Sequence, residues 1–361
     1  MRRTRQVKVG NLPIGGGAPV VVQTMGNRDP HDAEACLAQL LSCAELGCEL
    51  FRMTVPDPEA ARVLGEVRAK SPIPVVADVH FDYRCALAAI EAGADALRLN
   101  PGNIGGRDRV QAVARAAAAK RVPIRIGVNA GSLEKGLDAE VRSGRCSVSD
   151  ALVKSALGHL QLLEDEGFRD VVLSVKASDV VNTLDAYRQL AVRTDCPLHL
   201  GVTEAGTFLP GTVRSSVALG ILLSEGIGDT IRVSLTDRPE REVKVGLEIL
   251  RSLGLREPGP SVTSCPTCGR TKADVMRVAA EVEEALERRA VELRRDGGTV
   301  RMPRVAVMGC AVNGPGEARG ADVALCGGDG EFLLYVNGME VCKVAESEAA
   351  GKVLEHVFSV E

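Results

Sequence analysis

Eight short runs rich in Val, Ile and Leu recur along the first two-thirds of the chain, and they constrain its fold more than any other feature. They read "VVVQTM" at 20, "LFRMTV" at 50, "VVADVH" at 75, "ALRLNP" at 96, "IRIGVN" at 124, "VVLSVK" at 171, "LHLGVT" at 198 and "TIRVSL" at 230. Between them lie segments of helical period such as "DAEACLAQLLSCAELG" and "DRVQAVARAAAAKR". Apolar strands alternating with helices build βα units on a parallel sheet. Eight such units, with no GxGxxG after the first strand, favour a (β/α)8 TIM barrel over an open dinucleotide-binding sheet. The long gap between the runs at 124 and 171 leaves room for an insertion around "GSLEKGLDAEVRSGRCS". The glycine-rich "VKVGNLPIGGGAPV" reads as a hairpin closing the bottom of the barrel.

The repeat stops near "SLGLREPGP", a Gly/Pro-rich stretch that marks a boundary. We expect a barrel over 1–255 and a smaller α+β unit over 256–361. The second unit holds one long amphipathic helix, "KADVMRVAAEVEEALERRAVELRR", a strand, "RVAVMGC", and the hairpin "EFLLYVNGMEVCK". The Asn-Gly pair of that hairpin suits a type I′ turn. A sheet with helices on one face is the expected architecture.

Polar residues interrupt the barrel strands: Arg52, Asp78, His80, Arg98, Asn100, Arg125, Asn129, Lys176, His199, Arg232 and Ser234, with Glu204 just beyond. An ionisable side chain inside a barrel is costly unless paired, so these residues belong at the strands' C-terminal ends, the catalytic face of this fold. Four arginines and one lysine spread over five strands outnumber the carboxylates nearby, of which Asp78 and Glu204 are the main candidates. A small anion carrying two phosphates would satisfy such a set, because guanidinium forks match phosphate oxygens. The glycines of "NPGNIGG" and "VNAGS" add backbone N–H groups able to approach an oxyanion.

Composition narrows the partners. The net charge of −4 offers no global field for a polyanion, and aromatic residues at 2% give no stacking platforms for single-stranded nucleic acid. No run reaches membrane-spanning length and the basic start lacks a secretory apolar core, so a cytoplasmic protein is expected, with no nucleic-acid or membrane partner. Its eleven cysteines are then thiols in a reducing compartment. Cys36, Cys43, Cys48, Cys85, Cys146 and Cys196 lie singly in apolar or helical surroundings and read as small hydrophobes, and Cys342 reads as structural.

Three thiols are different. Cys265 and Cys268 form the CxxC of "SCPTCGR", and Cys310 sits in "GCAVNGPGE". A zinc ribbon would place a second CxxC about 15–20 residues on, which this chain lacks. Glycines at 309, 314 and 316 around Cys310 suit close packing against a bulky inorganic group, with N–H groups free to donate to its sulfides. A four-iron cube held by three thiolates needs one further ligand. Glu317 and Cys326 are both within reach in sequence; thiolates are the commoner ligands of such clusters, so spacing alone slightly favours Cys326. Four thiolates would make an electron carrier, whereas a displaceable carboxylate would leave an iron accessible to substrate.

Taken together, "VGNLPIGGGAPVVVQTM", "VADVHFDYR", "LRLNPGNIG", "PIRIGVNAGSLEK", "SVKASD", "PLHLGVTEAG", "LLSEGIGDTIRVSL", "SCPTCGR" and "GCAVNGPGEA" resemble the 4-hydroxy-3-methylbut-2-enyl diphosphate synthase family of the methylerythritol phosphate route to isoprenoids. The resemblance covers nearly the whole chain. It implies a [4Fe–4S] cluster held by Cys265, Cys268, Cys310 and Glu317, and reductive ring opening of 2-C-methyl-D-erythritol 2,4-cyclodiphosphate. Electrons would come from flavodoxin or ferredoxin. It further implies that Glu204 donates a proton and that Arg52, Arg98, Arg125, Lys176 and Arg232 grip the diphosphate, helped by His80, Asn100, Asn129 and Ser234. A linker leaving the last barrel helix reaches its own mouth with difficulty, and the family's arrangement is a homodimer with an active site shared between chains. The chain departs from the family pattern at residues 25–32 and 206–216, where Arg214 stands in place of a frequent Lys.

Overall fold

The computed structural model describes residues 2–257, 259–297, 300, 302–310, 312 and 314–359. The chain divides into two compact units, Met1–Leu255 and Arg256–Glu361.

In the first unit a hairpin, β1 (Gln6–Val9) and β2 (Leu12–Gly15), precedes eight parallel strands. These are β3 (Val21–Met25), β4 (Leu50–Thr54), β5 (Val75–Asp78), β6 (Ala96–Leu99), β7 (Ile124–Asn129), β8 (Val171–Lys176), β9 (His199–Leu200) and β10 (Thr230–Ile231). The strand order is β8-β7-β6-β5-β4-β3-β10-β9, and a parallel bridge between Leu173 and Leu198 joins its two ends, so the sheet closes on itself. Around it run α1 (Ala33–Glu45), α2 (Pro58–Lys70), α3 (Tyr83–Glu91), α4 (Arg107–Lys120), α5 (Lys135–Arg142), α6 (Val148–Glu164), α7 (Val180–Arg193), α8 (Phe208–Ser224) and α9 (Pro239–Ser252). This is the expected TIM barrel, and α5 occupies the expected insertion. The runs at 198 and 230 keep only two ladder residues each, because beyond them the chain opens into the mouth.

Local chemistry sets the helix starts. Asp32, Asp57, Ser147 and Asp179 each accept a backbone N–H three residues on, satisfying donors that the first turn leaves open. The strand alternation then builds a two-tier interior. Val21, Leu50, Val76, Ala96 and Val172 face inward and pack on Val7, Val9 and Ile14 of the hairpin, forming an apolar floor. Two residues further along the same strands stand Gln23, Arg52, Asp78, Arg98 and Ser174. A strand's side chains repeat with period two, so floor and polar tier share one face of the sheet. The opposite face packs the strands on the helices through Phe51, Ala77, Leu97, Ile126, Leu173 and their neighbours.

The second unit is a five-stranded sheet in the order β11 (Val262–Ser264), β12 (Val305–Met308), β13 (Val323–Gly327), β14 (Glu331–Val336) and β15 (Met339–Ala345). The first three strands are parallel and the last three antiparallel. Asn337 and Gly338 both have positive φ, 51° and 77°, as a type I′ turn requires. The long α10 (Val275–Arg295) and α12 (Ala349–Ser359) cover one face, with Val278, Val282, Leu286 and Val353 packed on Val307, Leu325 and Phe332. The short α11 (Gly314–Ala318) lies against the other face, where Ala318 meets Ala306, Met308, Ala324 and Cys326. Among the described residues, no helix is long and apolar enough to cross a membrane.

Candidate active site

Seven of the nine candidate substrate residues line one cavity above the barrel floor, with about 390 Å³ of space opening to solvent: Arg52, Arg98, Arg125, Asn129, Lys176, Arg232 and Ser234. Ser174, His199 and Thr203 complete the polar wall. Two glycines make room for the long cations. A Cβ on Gly127 would lie 2.4 Å from Arg98 Nε, and one on Gly201 would lie 2.7 Å from Lys176 Nζ. Any larger residue at either position would displace a cation.

Asp78 is fully buried and anchors one side. It accepts from Arg52 Nη2 at 2.7 Å and from Arg98 Nη1 at 3.3 Å. Burial pushes its carboxyl upward, but the two guanidinium charges outweigh that effect and hold it below the ordinary carboxylate range. Arg98 also donates to Gly127 O at 2.7 Å. Arg125 reaches across the barrel to Gln23 Oε1, while its Nη2 and Arg52 Nε are buried without a partner.

Arg232 is held by Glu242 of α9, which accepts its Nη2 at 3.0 Å, Thr24 Oγ1 at 2.7 Å and Leu235 N–H at 2.9 Å. Glu242 corrects the expected carboxylate inventory of Asp78 and Glu204. It comes from the helix after the last strand rather than from a strand end, where a sequence reading confined to strand ends does not look. Five basic side chains thus face two buried carboxylates, an excess of three positive charges if all are ionised. Burial pushes Lys176 and His199 well below their usual values, and the surrounding cations push both further the same way. His199 Nδ1 lies 3.4 Å from Thr230 Oγ1 and its Nε2 3.3 Å from Lys176 Nζ.

Three candidates lie outside this lining. Asn100 is buried and accepts Gly127 N–H through Oδ1 at 3.0 Å, so it braces β7. His80 is exposed, with Nε2 3.8 Å from Asp78 Oδ2. Glu204 is exposed on the loop after β9 with a φ of +52°, a left-handed conformation uncommon for a side-chain-bearing residue. Arg214 of α8 donates to Ala205 O of the same loop at 2.8 Å.

In the second unit, β11 and β12 run parallel and adjacent, with Ser264 opposite Val307, so Cys265 and Cys310 leave the sheet at the same end. Cys265 Sγ accepts Gly309 N–H at 3.2 Å. Cys268 stands in an exposed turn, where a hydrogen bond from Arg270 N–H and the nearby guanidinium lower its thiol pKa. Glu317 is exposed on α11. None of these cysteines is in a disulfide, and one sulfur already accepts a backbone N–H, a donor set that suits an iron–sulfur cluster. Among the described residues, no three His, Cys, Asp or Glu side chains stand close enough to hold one metal ion. Ala311 and Asn313 of the "GCAVNGPGE" loop lie outside the described residues.

Cys326 is buried in the apolar layer under α11, and burial pushes its thiol up to about 11. A Cβ on Gly314 would lie 2.7 Å from its Sγ, so only glycine lets α11 sit this close to the sheet.

Both units match one family. The GcpE TIM-barrel domain matches residues 4–247 and the GcpE protein C-terminal domain matches residues 261–359. The chain belongs to the GcpE family. A curated GcpE relative from Geobacter sulfurreducens, named 4-hydroxy-3-methylbut-2-en-1-yl diphosphate synthase (flavodoxin), is 53% identical over 99% of this chain and 98% of its own. A relative of the same name from Clostridium acetobutylicum is 49% identical over 98% of both chains. Among solved structures, dihydropteroate synthase of Yersinia pestis covers 69% of this chain and 98% of its own, at 13% identity and a TM-score of 0.47.

Proposed function

We propose that this GcpE-family chain reduces 2-C-methyl-D-erythritol 2,4-cyclodiphosphate to 4-hydroxy-3-methylbut-2-enyl diphosphate, with flavodoxin as electron donor. The observation that carries the reading is its near-full-length likeness to relatives that bear this activity in their name. The cup supports it chemically, since a cyclic diphosphate brings the negative charge that its five basic side chains need.

In this reading Arg52, Arg98, Arg125, Lys176 and Arg232 hold the two phosphates, and Asn129 and Ser234 add neutral donors. The unpaired Arg125 Nη2 and Arg52 Nε are donors waiting for such oxygens. His80 and Asn100 border the same ligand. Two electrons and two protons break one ring C–O bond, leave the diphosphate on the other carbon and expel the adjacent hydroxyl as water. Glu204, at the mouth, delivers a proton to that departing oxygen.

Cys265, Cys268, Cys310 and Glu317 would hold the [4Fe–4S] cluster. When bound, it supplies the electrons and a Lewis-acidic iron. The thiol ends of β11 and β12 and the glycine-tight seat of α11 favour this set, and the burial of Cys326 in the apolar layer speaks for Glu317 as the fourth ligand.

A homodimer with the active site shared between chains completes the reading. Leu209, Val213, Val217 and Ile221 form an exposed apolar stripe along α8, at a spacing of four residues, which supports association. The deciding experiment is anaerobic reconstitution with iron and sulfide, then assay on the cyclodiphosphate with a chemical reductant. Turnover with about four irons per chain is expected; zinc binding, or an intact cluster with no turnover, overturns the reading. Mixing Cys310→Ala and Glu204→Ala chains, each inactive, restores part of the activity if the site is shared.

A further inference from the structure

A buried polar cluster on α6 lies outside the cavity yet touches two of its loops. His159 Nε2 lies 2.8 Å from Glu134 Oε1, and Ser155 Oγ donates to the same oxygen at 2.8 Å. His159 and Ser155 are both buried, and His159 Nδ1 and Glu134 Oε2 are buried without partners. An imidazole protonated only at Nε2 fits this arrangement, since nothing faces Nδ1 to receive a second proton's hydrogen bond.

The cluster joins three separate elements. Glu134 belongs to the segment after β7, five residues past Asn129. The 3-10 turn Pro101–Asn103 follows Asn100 at the end of β6 and lies directly on the imidazole: a Cβ on Gly102 would stand 2.4 Å from His159 Nε2. The base is rigid, because α6 buries Leu152, Ala156, Leu160 and Leu163 in the barrel wall. Asn100 in turn grips β7 through Gly127 N–H.

We propose that His159 is a positioning residue: through Glu134 and the backbone at Gly102 it ties the loops 100–106 and 129–134 to α6, and so sets where Asn100 and Asn129 stand at the cup. The proposal rests on the reading of that cup as a diphosphate site. Removing the ring leaves the Glu134 carboxylate without its N–H donor and the Gly102 turn without its seat, so both loops loosen together although they follow different strands. A histidine that merely stabilised α6 would loosen the helix and leave the loops as they are.

The test combines hydrogen–deuterium exchange with calorimetric titration of inorganic pyrophosphate, on the full chain and on His159→Leu, His159→Gln and Gly102→Ala. In His159→Leu, peptides covering 100–106 and 129–134 exchange faster, and the pyrophosphate Kd rises about tenfold. His159→Gln, whose amide nitrogen falls near the position of Nε2 and donates to Glu134, recovers most of both. Gly102→Ala, which keeps both side chains but drives a methyl group against His159 Nε2 and so displaces the ring from Glu134, reproduces the leucine phenotype and decides the matter should His159→Leu fail to fold. Loops that exchange as in the parent, or parental affinity despite loosened loops, overturn the proposal. A parent chain that binds no pyrophosphate overturns the cup reading instead, and the exchange data then decide the tether alone.

Discussion

Lys176 Nζ lies 3.3 Å from His199 Nε2 in the cup, and burial depresses both pKa values, helped by four arginines around Lys176 and by three arginines and Lys176 itself around His199. An anion in the cup reverses the electrostatic part of that shift, so Lys176 has a higher pKa in the complex than in the empty protein. Between the two values, binding takes up a proton, and affinity falls as pH rises through the value in the complex. Titration of pyrophosphate in buffers of different ionisation enthalpy should show proton uptake that disappears in Lys176→Met. Heats independent of the buffer would refute the shift.

Arg125 separates stability from binding. Its guanidinium is buried with Nη2 unpaired, so Arg125→Met removes a desolvated charge and should leave the urea midpoint equal or higher. The same change removes a charge-assisted phosphate contact and should weaken pyrophosphate binding by about 2 kcal/mol. A variant that loses stability yet binds normally would make Arg125 a structural residue.

Glu242 should behave in the opposite sense. Glu242→Ala strips partners from Arg232, Thr24 and the Leu235 N–H at once and is expected to cost about 3 kcal/mol in denaturant unfolding. Glu242→Gln, which keeps the shape and one acceptor, should cost less than half as much.

Much of this arrangement is legible in the sequence because the period-two pattern carries it. Leu50, Val76 and Ala96, each followed two residues later by Arg52, Asp78 or Arg98, mark an apolar floor beneath a polar tier. Glu242 escaped that reading because a helix residue can reach a strand's cation only through tertiary packing. Gly127 and Gly201 lie inside quoted strand runs, yet their meaning depends on the arginine and lysine beside them, which only the closed barrel reveals. The Asn-Gly turn was fully readable, since its geometry is local. The different settings of Glu317 and Cys326 were not, because only the folded sheet shows that it buries Cys326 and leaves Glu317 exposed.

Glu204 holds a left-handed backbone at the mouth. Glu204→Gly removes that strain and should raise stability by about 1 kcal/mol, whereas Glu204→Gln leaves it in place. Both should lower turnover by at least a hundredfold if the carboxyl delivers a proton. Thermal unfolding beside single-turnover kinetics checks the pair. Wild-type rates in Glu204→Gln would remove Glu204 from the chemistry.

Gly314 and Cys326 give a test of the fourth ligand that does not depend on turnover. Gly314→Ala drives a methyl group into Cys326 Sγ and should reduce the iron retained after anaerobic reconstitution. Cys326→Ala alone should retain iron fully, and the double variant should recover much of what Gly314→Ala lost. Loss of iron in Cys326→Ala would identify a four-thiolate cluster.

The hairpin residues Val7, Val9 and Ile14 stop the barrel from below, which leaves the mouth as the cup's only broad doorway among the described residues. Under the proposed function, substrate arrives and product departs through that mouth. In that reading product would compete with substrate for entry, and whatever rests against the mouth would govern the traffic in both directions.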